Sequence, residues 1–336
     1  MATETTSPEV ADASGATGPG LFRRRLVGMA LWACGFLAIW WYKGGLPTDP
    51  IVAFVCLWGV TIAWNSHRPW TTHLRFARDW LPIVLLLVLY GFSRGAADDG
   101  GTPHVQELID ADRALFGGHV PTIWLQERFY DPLRVQWYDV AASIVYLSHF
   151  VVTLTVAVVL WLRARSLWAA FMRRWLGLIG LGLVTYFLYP AAPPWWASEF
   201  GYLSEHVERT SAKGWSAIGL DLAGNLLDTG QAMSNPVAAM PSLHTAFSVS
   251  VVAFFLNRVR RRWIPLLLAY PLAMTLTLVY TGEHYVVDAI AGAVYVCVVY
   301  ALVGLGERWW RRRRERRADE ADPPATREPA VAVTPR

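Results

Sequence analysis

Lysine is almost missing from this chain: of 30 basic residues only Lys43 and Lys213 are lysine, and the rest are arginine. The arginines fall in short clusters between apolar runs, a bias that fits a GC-rich coding composition better than a nucleic-acid site, so no nucleic-acid partner is expected. Cysteine is as scarce. Cys34, Cys56 and Cys297 all lie inside apolar segments without CxxC or metal-ligand spacing, which supports neither a disulfide framework nor a zinc site. A Gly-rich phosphate loop of the Walker type and an internal repeat are both lacking.

What the chain has is apolar length. Its 336 residues are 54% hydrophobic, include 18 Trp, and carry repeated runs long enough to cross a bilayer. That excludes a soluble domain and predicts an all-α polytopic membrane helical bundle. A first helix runs to about Tyr42 behind Arg23, Arg24 and Arg25, and its length, with further spans behind it, favours an uncleaved helix over a signal peptide. Further candidate spans cover about 50–65, 80–93, 138–162, 175–190, 241–257, 263–280 and 285–306, which makes about eight transmembrane helices. Residues 1–20 and 318–336 read as disordered tails flanking a membrane domain, 21–317, whose catalytic bundle covers about 80–306.

The charges set a topology. With the N-terminus inside, 23 of the 30 basic residues fall on the cytoplasmic side, which predicts N-in, C-in in the cytoplasmic membrane. On the outer side, Val105, Leu108, Ile109, Leu115 and Phe116 have near-helical spacing and a second short helix opens at Pro121; both read as interfacial helices. The outer loop from Ala191 to Asn235 is long enough to cover or gate a site.

The chemistry collects in two stretches. Pro241-Ser242-Leu243-His244 opens one apolar segment and His284-Tyr285-Val286-Val287-Asp288 opens another, with Arg258 to Arg262 in the turn between them. An arm that crosses, turns and returns brings both starts to one face of the bilayer, so His244 and His284 can be neighbours. His284 and Asp288, spaced i, i+4, would share a helix face, the carboxylate taking one ring N–H and leaving the other nitrogen for chemistry. A helix opening at Pro241 would leave the N–H groups of Ser242, Leu243 and His244 unclaimed, an anion site. The plainer reading is two polar helix ends meeting the interface; the pairing of two such starts favours catalysis. His149, about 16 Å along its helix at ~1.5 Å per residue, lies too deep for a simple headgroup contact, and helix glue is at least as good a reading of it as catalysis. His67, His73, His104, His119 and His206 read as surface histidines.

These motifs resemble the second and third signature motifs of the type 2 phosphatidic acid phosphatase superfamily. Leu243, Glu283-His284-Tyr285 and Tyr189-Pro-Ala-Ala-Pro-Pro-Trp195 are similar to the branch containing fungal inositol phosphorylceramide synthase and its bacterial relatives. The resemblance implies that His284 is a nucleophile forming a phosphohistidine, that Asp288 orients it, that His244 protonates the departing lipid oxygen and then deprotonates the acceptor, and that Ser242 helps hold the phosphoryl oxygens. It implies no metal or organic cofactor, a phospholipid or lipid-phosphate substrate among the membrane lipids, and an alcohol or water acceptor.

Two family cations are absent. The Lys seven residues before Arg-Pro is Thr61 here, and the Arg six residues before the third-motif His is Leu278. Arg94, at the outer end of the third span, is the first candidate to bind the phosphate, with Lys43, Arg134, Arg209 and Lys213 as alternatives. The expected activity is inositolphosphotransferase-like headgroup transfer on the outer face. A lipid phosphatase is the same-chemistry alternative; a lipid transporter or scramblase is the alternative from another class, disfavoured because the ionisable residues collect at one face rather than at a midplane between repeats.

Overall fold

The computed structural model describes residues 19–43, 49–98, 102–220, 224–225 and 235–321. Most of the two expected tails lies outside these residues. Among those described, extended pairing is limited to two isolated bridges and everything else regular is helical. Each of the eight apolar segments is a helix. Five helices are long and apolar enough to cross a membrane, two apolar ones are shorter, and the eighth, Trp70–Asp98, carries several charges near its start.

The chain forms two compact units. The first, Met1–Gly95 with Gly230–Ser234, holds α1 (Pro19–Lys43), α2 (Pro50–Trp64) and nearly all of α3 (Trp70–Asp98). Asp49 caps α2, its carboxylate accepting from Ile51 N at 3.0 Å and Val52 N at 2.8 Å, so the orphan donors of a helix that opens on Pro50 are satisfied. His73 is not the surface histidine expected from a polar loop. It lies inside α3, buried, with the Trp70 ring 5.6 Å away and its carbonyl accepting from Trp58 Nε1.

The second unit, Ala96–Thr229 with Asn235–Arg336, carries α4 (Gln106–Leu115), α5 (Pro121–Phe129), α6 (Trp137–Arg163), α7 (Arg165–Leu188), α8 (Pro194–Glu199), α9 (Leu243–Phe255), α10 (Ile264–Tyr280) and α11 (Val286–Ala321). At its centre is α9, only 13 residues long, packed against α6, α7, α10 and α11. A helix enclosed on all sides needs small or apolar residues all round, and Ala246, Phe247, Ser248, Ser250, Val251, Val252 and Phe254 supply them. Gly292 permits the closest approach: a Cβ there would collide with the Ser242 carbonyl, so α11 can lie against the start of α9 only without a side chain. At the far end of the bundle Glu307 of α11 accepts from Arg173 Nε at 2.8 Å and Arg174 Nη2 at 3.0 Å of α7, locking those two helices in register.

Because α6 is about twice the length of α9, its first three turns rise past the start of α9 and carry a cap. There Gly214 packs so tightly on the Asp139 carbonyl and the Val140 Cα that a Cβ would collide with both, and its N–H donates to Ser143 Oγ at 3.0 Å. The side chain of Gln126 on α5 fastens the same segment, donating to the carbonyls of Glu208 and Tyr280, both at 2.8 Å, and accepting from Glu208 N at 2.9 Å. Ala191 is fully buried, bridged on one side to His104 and on the other to Ala238. The described part of the long loop is therefore bolted to α5, α6 and the end of α10, a fixed cover rather than a free strand of chain.

Candidate active site

The site forms where α9 and α11 begin. After α10 the chain reverses: the Leu278 carbonyl accepts from Glu283 N at 3.0 Å and His284 N at 3.2 Å, which closes the turn. The helix α11 starts only at Val286, so His284 sits just before it, not within it as the i, i+4 spacing had suggested. Its meeting with Asp288 has another cause. Asp288 is the third residue of α11, and its Oδ2 reaches back to accept from Tyr285 N at 2.9 Å, the returning half of a capping box. That same oxygen lies 3.5 Å from His284 Nδ1. The contact is long for a hydrogen bond, as catalytic contacts commonly are before substrate binds.

Across the gap, His284 Nε2 is 3.2 Å from His244 Nδ1. The structure thus joins His244, His284 and Asp288 in one row, forty residues of chain being returned by the α9–α10 arm. His284 and Asp288 are buried and His244 is partly open.

The start of α9 also departs from expectation. It opens at Leu243, with Pro241 outside it and Ser242 as its N-cap, the Ser242 hydroxyl accepting from Thr245 N at 3.3 Å. The Ser242 N–H donates to the Asp288 carbonyl at 3.0 Å. It is therefore claimed, and the anion site expected of three open N–H groups is not formed as drawn. Ser242 instead ties the start of α9 to the first turn of α11.

His149 is a second departure. The outer end of α6 stands three turns above the start of α9, so His149, deep along its own helix, comes level with His244 and their ring centroids are 4.0 Å apart at 63°. The Tyr146 ring is 5.0 Å from His244. Leu278, where the resemblance has an arginine, is fully buried in a cluster with Tyr146 and Met274.

Of the cations, Arg94 lies outside the described side chains. Arg209 pairs in bidentate fashion with Glu283, the residue before His284, at 2.9 and 3.0 Å, and Ser211 Oγ donates to the same carboxylate at 2.6 Å. The guanidinium lies 4.9 Å from the centre of the Trp195 ring. Lys213 is drawn elsewhere, 3.4 Å from Asp139 Oδ2 in the cap.

Asp112 on α4 went unread in the sequence. Fully buried, it accepts from Val287 N at 2.9 Å and Val286 N at 3.1 Å, capping the helix that carries Asp288. Its signal was a carboxylate on the apolar stripe set by Val105, Leu108 and Ile109, where a leucine would ordinarily stand. Burial pushes its carboxyl up to about 6 against the pull of the two N–H bonds, and Asp288 adds to the rise. Among the described residues no group of three or more His, Cys, Asp or Glu is gathered as metal ligands.

The profile of the PAP2 superfamily matches residues 106–302, from α4 to α11, and so takes in every one of these site residues except Arg94. The chain belongs to the PAP2 superfamily. Within it, the chain is similar to the inositol phosphorylceramide synthase catalytic subunit of Saccharomyces cerevisiae, 27% identical over 231 residues, covering 67% of this chain and 56% of that one. It is also similar to the phosphoinositol dihydroceramide synthase of Bacteroides thetaiotaomicron, 27% identical over 220 residues, covering 63% of this chain and 71% of that one. The chain thus spans little more than half the length of the yeast relative. No solved structure matches it. With its apolar helices and its superfamily, the chain is an integral membrane protein.

Proposed function

We propose that this PAP2 superfamily protein transfers a phosphoinositol headgroup from a phospholipid to the hydroxyl of a second lipid, by way of a covalent intermediate on His284. The observation that carries the reading is the alignment of His284, whose Nδ1 faces Asp288 while Nε2 faces His244. A carboxylate at Nδ1 keeps the proton there and leaves the lone pair on Nε2, which is then the attacking atom. Attack at phosphorus forms the P–N bond as the P–O bond to the diacylglycerol breaks, and His244 as imidazolium gives its proton to the departing oxygen. The acceptor hydroxyl then attacks, loses its proton to His244, and the P–N bond breaks. The similarity to two synthases whose names contain phosphoinositol or inositol phosphoryl and a ceramide supports this headgroup and a ceramide-type acceptor.

Arg209 is the cation for the phosphoryl oxygens in this reading. Its pairing with Glu283 aims the guanidinium beside the nucleophile, in place of the two family cations the sequence lacks. Ser242 acts by fixing the start of α9 and so His244. The arginine distribution supports a site on the extracytoplasmic face of the cytoplasmic membrane, with N-in and C-in topology.

The test is purified protein with phosphatidylinositol labelled in its phosphate, with and without a ceramide. Label held on the wild type, absent from His284→Ala, and passed to the ceramide is the expected result. Label released to water whether or not an acceptor is present would make the protein a hydrolase, and label that never leaves the donor would end the enzymatic reading.

A further inference from the structure

The structure assigns Asp112 as the positioning residue of the catalytic turn: from α4 its carboxylate holds the Val286 and Val287 N–H groups and so sets where His284 stands against Asp288 and His244. The inference rests on the proposed role of His284. Its own basis is geometric.

A helix start presents several N–H groups without intrahelical partners, and a buried start needs acceptors for them. Here the N-cap position is Tyr285, whose side chain has no capping oxygen within reach of its own helix turn; it is buried in the cluster formed by Val105, Leu108 and Ile109. The acceptors come from two carboxylates instead. Asp288 takes Tyr285 N at 2.9 Å, and Asp112, 174 positions away from Val286 and 175 from Val287, takes the next two at 3.1 and 2.9 Å. Three successive N–H groups directly after His284 are thereby fixed, all by fully buried groups. One consequence is chemical: the start of α11 is closed to substrate anions, because Asp112 already occupies it. The other is mechanical. The backbone that carries His284 cannot shift relative to Asp288 without breaking the bonds to α4.

A plain structural cap would be served by a neutral oxygen at residue 285. A buried carboxylate reaching in from another helix is a costly way to cap, and it adds a second negative charge next to Asp288 at the side of the ring that must keep its proton. Asp112 never touches the phosphorus or the ring, so its effect passes through the turn.

The experiment compares wild type, Asp112→Asn, Asp112→Ala and Leu108→Ala in detergent or nanodiscs, with phosphatidylinositol as donor. Asp112→Asn is expected to lower kcat and the rate of labelling on His284 by between about 10- and 100-fold, the range set by displacements on the order of 1 Å, with KM held within about twofold. Asp112→Ala, which offers no acceptor at all, is expected to be slower still. Leu108→Ala loosens α4 without touching the N–H groups, and is expected to lose thermal stability but keep kcat. Equal kcat losses in Leu108→Ala and Asp112→Asn at matched stability would overturn the inference, as would unaltered kcat in Asp112→Asn. A readout independent of activity is hydrogen exchange over 284–288: Asp112→Ala is expected to expose it, and unchanged protection there overturns the positioning role. Failure of wild type to label at His284 with exchange altered as expected would instead remove the proposed chemistry and leave the contact as a cap alone.

Discussion

The imidazole of His149 meets that of His244 edge-on, ring centroids 4.0 Å apart. His149 Nδ1 is bonded to the Tyr146 carbonyl. A carbonyl only accepts, so the proton is on Nδ1, and Nε2 is an acceptor. That ring packs directly against His244, the acid of the proposed reaction, and helps fix where the His244 imidazole stands. His149→Phe keeps the ring's volume and removes both ring nitrogens, and a loss in kcat of about fivefold, equivalent to about 1 kcal/mol, is expected. Steady-state turnover that stays at the wild-type level would reduce His149 to packing.

Arg209 and Glu283 are expected to act as one unit. Arg209→Gln removes the charged donor proposed for the phosphoryl oxygens, and kcat/KM is expected to fall by about 100- to 1,000-fold. Glu283→Gln keeps a side chain for Ser211 to hold but loses the bidentate ion pair, so a smaller loss, about tenfold, is expected. Arg209→Lys should not restore activity, since an ammonium cannot reproduce the fork. Turnover of Arg209→Gln within about twofold of wild type would mean that another cation meets the phosphoryl group.

How much of this was legible follows from what kind of signal each residue leaves. Apolar runs and charge clusters are local, so all eight helical segments could be placed, and the two histidine stretches were joined by topology alone. The paired starts of α9 and α11 needed only that the chain cross and return. Asp112 was overlooked because its partners are backbone groups, and N–H groups leave no letter in a sequence. The level of His149 is not legible because distance along a helix gives depth only if all helices end at one height, and α6 overtops α9 by three turns to hold the cap. The start of α9 is hidden because Pro241 has the look of a first-turn proline and is instead the residue before the cap. Pairings between distant polar side chains, such as Arg209 with Glu283, have no periodicity to betray them.

Orientation is open to a direct check. The positive-inside partition predicts that Glu205, exposed in the cap, faces outward and that Arg260, exposed in the turn after α9, faces the cytoplasm. In a background without the native cysteines, an impermeant thiol reagent is expected to label Glu205→Cys in intact cells and Arg260→Cys only after the membrane is opened. The reverse pattern would turn the molecule over and move the site to the cytoplasmic face.

Stability and activity are expected to move in opposite directions with pH, and Asp112 is the reason. Folding raises its carboxyl to about 6, chiefly through burial, so the folded state binds a proton that the unfolded chain has already released. The sign follows: the stabilising contribution is complete below the ordinary carboxylate range and is lost as pH rises through about 6, at no more than about 1.4 kcal/mol per unit. The groups that face Asp112 are Asp288 and Tyr285 at the start of α11, with Arg113 beside it on α4. The informative quantity is the difference between wild type and Asp112→Asn, in which the contributions common to both cancel. In thermal melts of the solubilised protein, wild type is expected to gain on Asp112→Asn as pH falls from 6 toward 4, and the difference to be flat above 6. Turnover should do the reverse, because a protonated Asp112 gives up one of its two acceptors and releases either Val286 or Val287. A stability difference independent of pH would mean that Asp112 keeps one protonation state throughout, and any loss of turnover below pH 6 would then have another source.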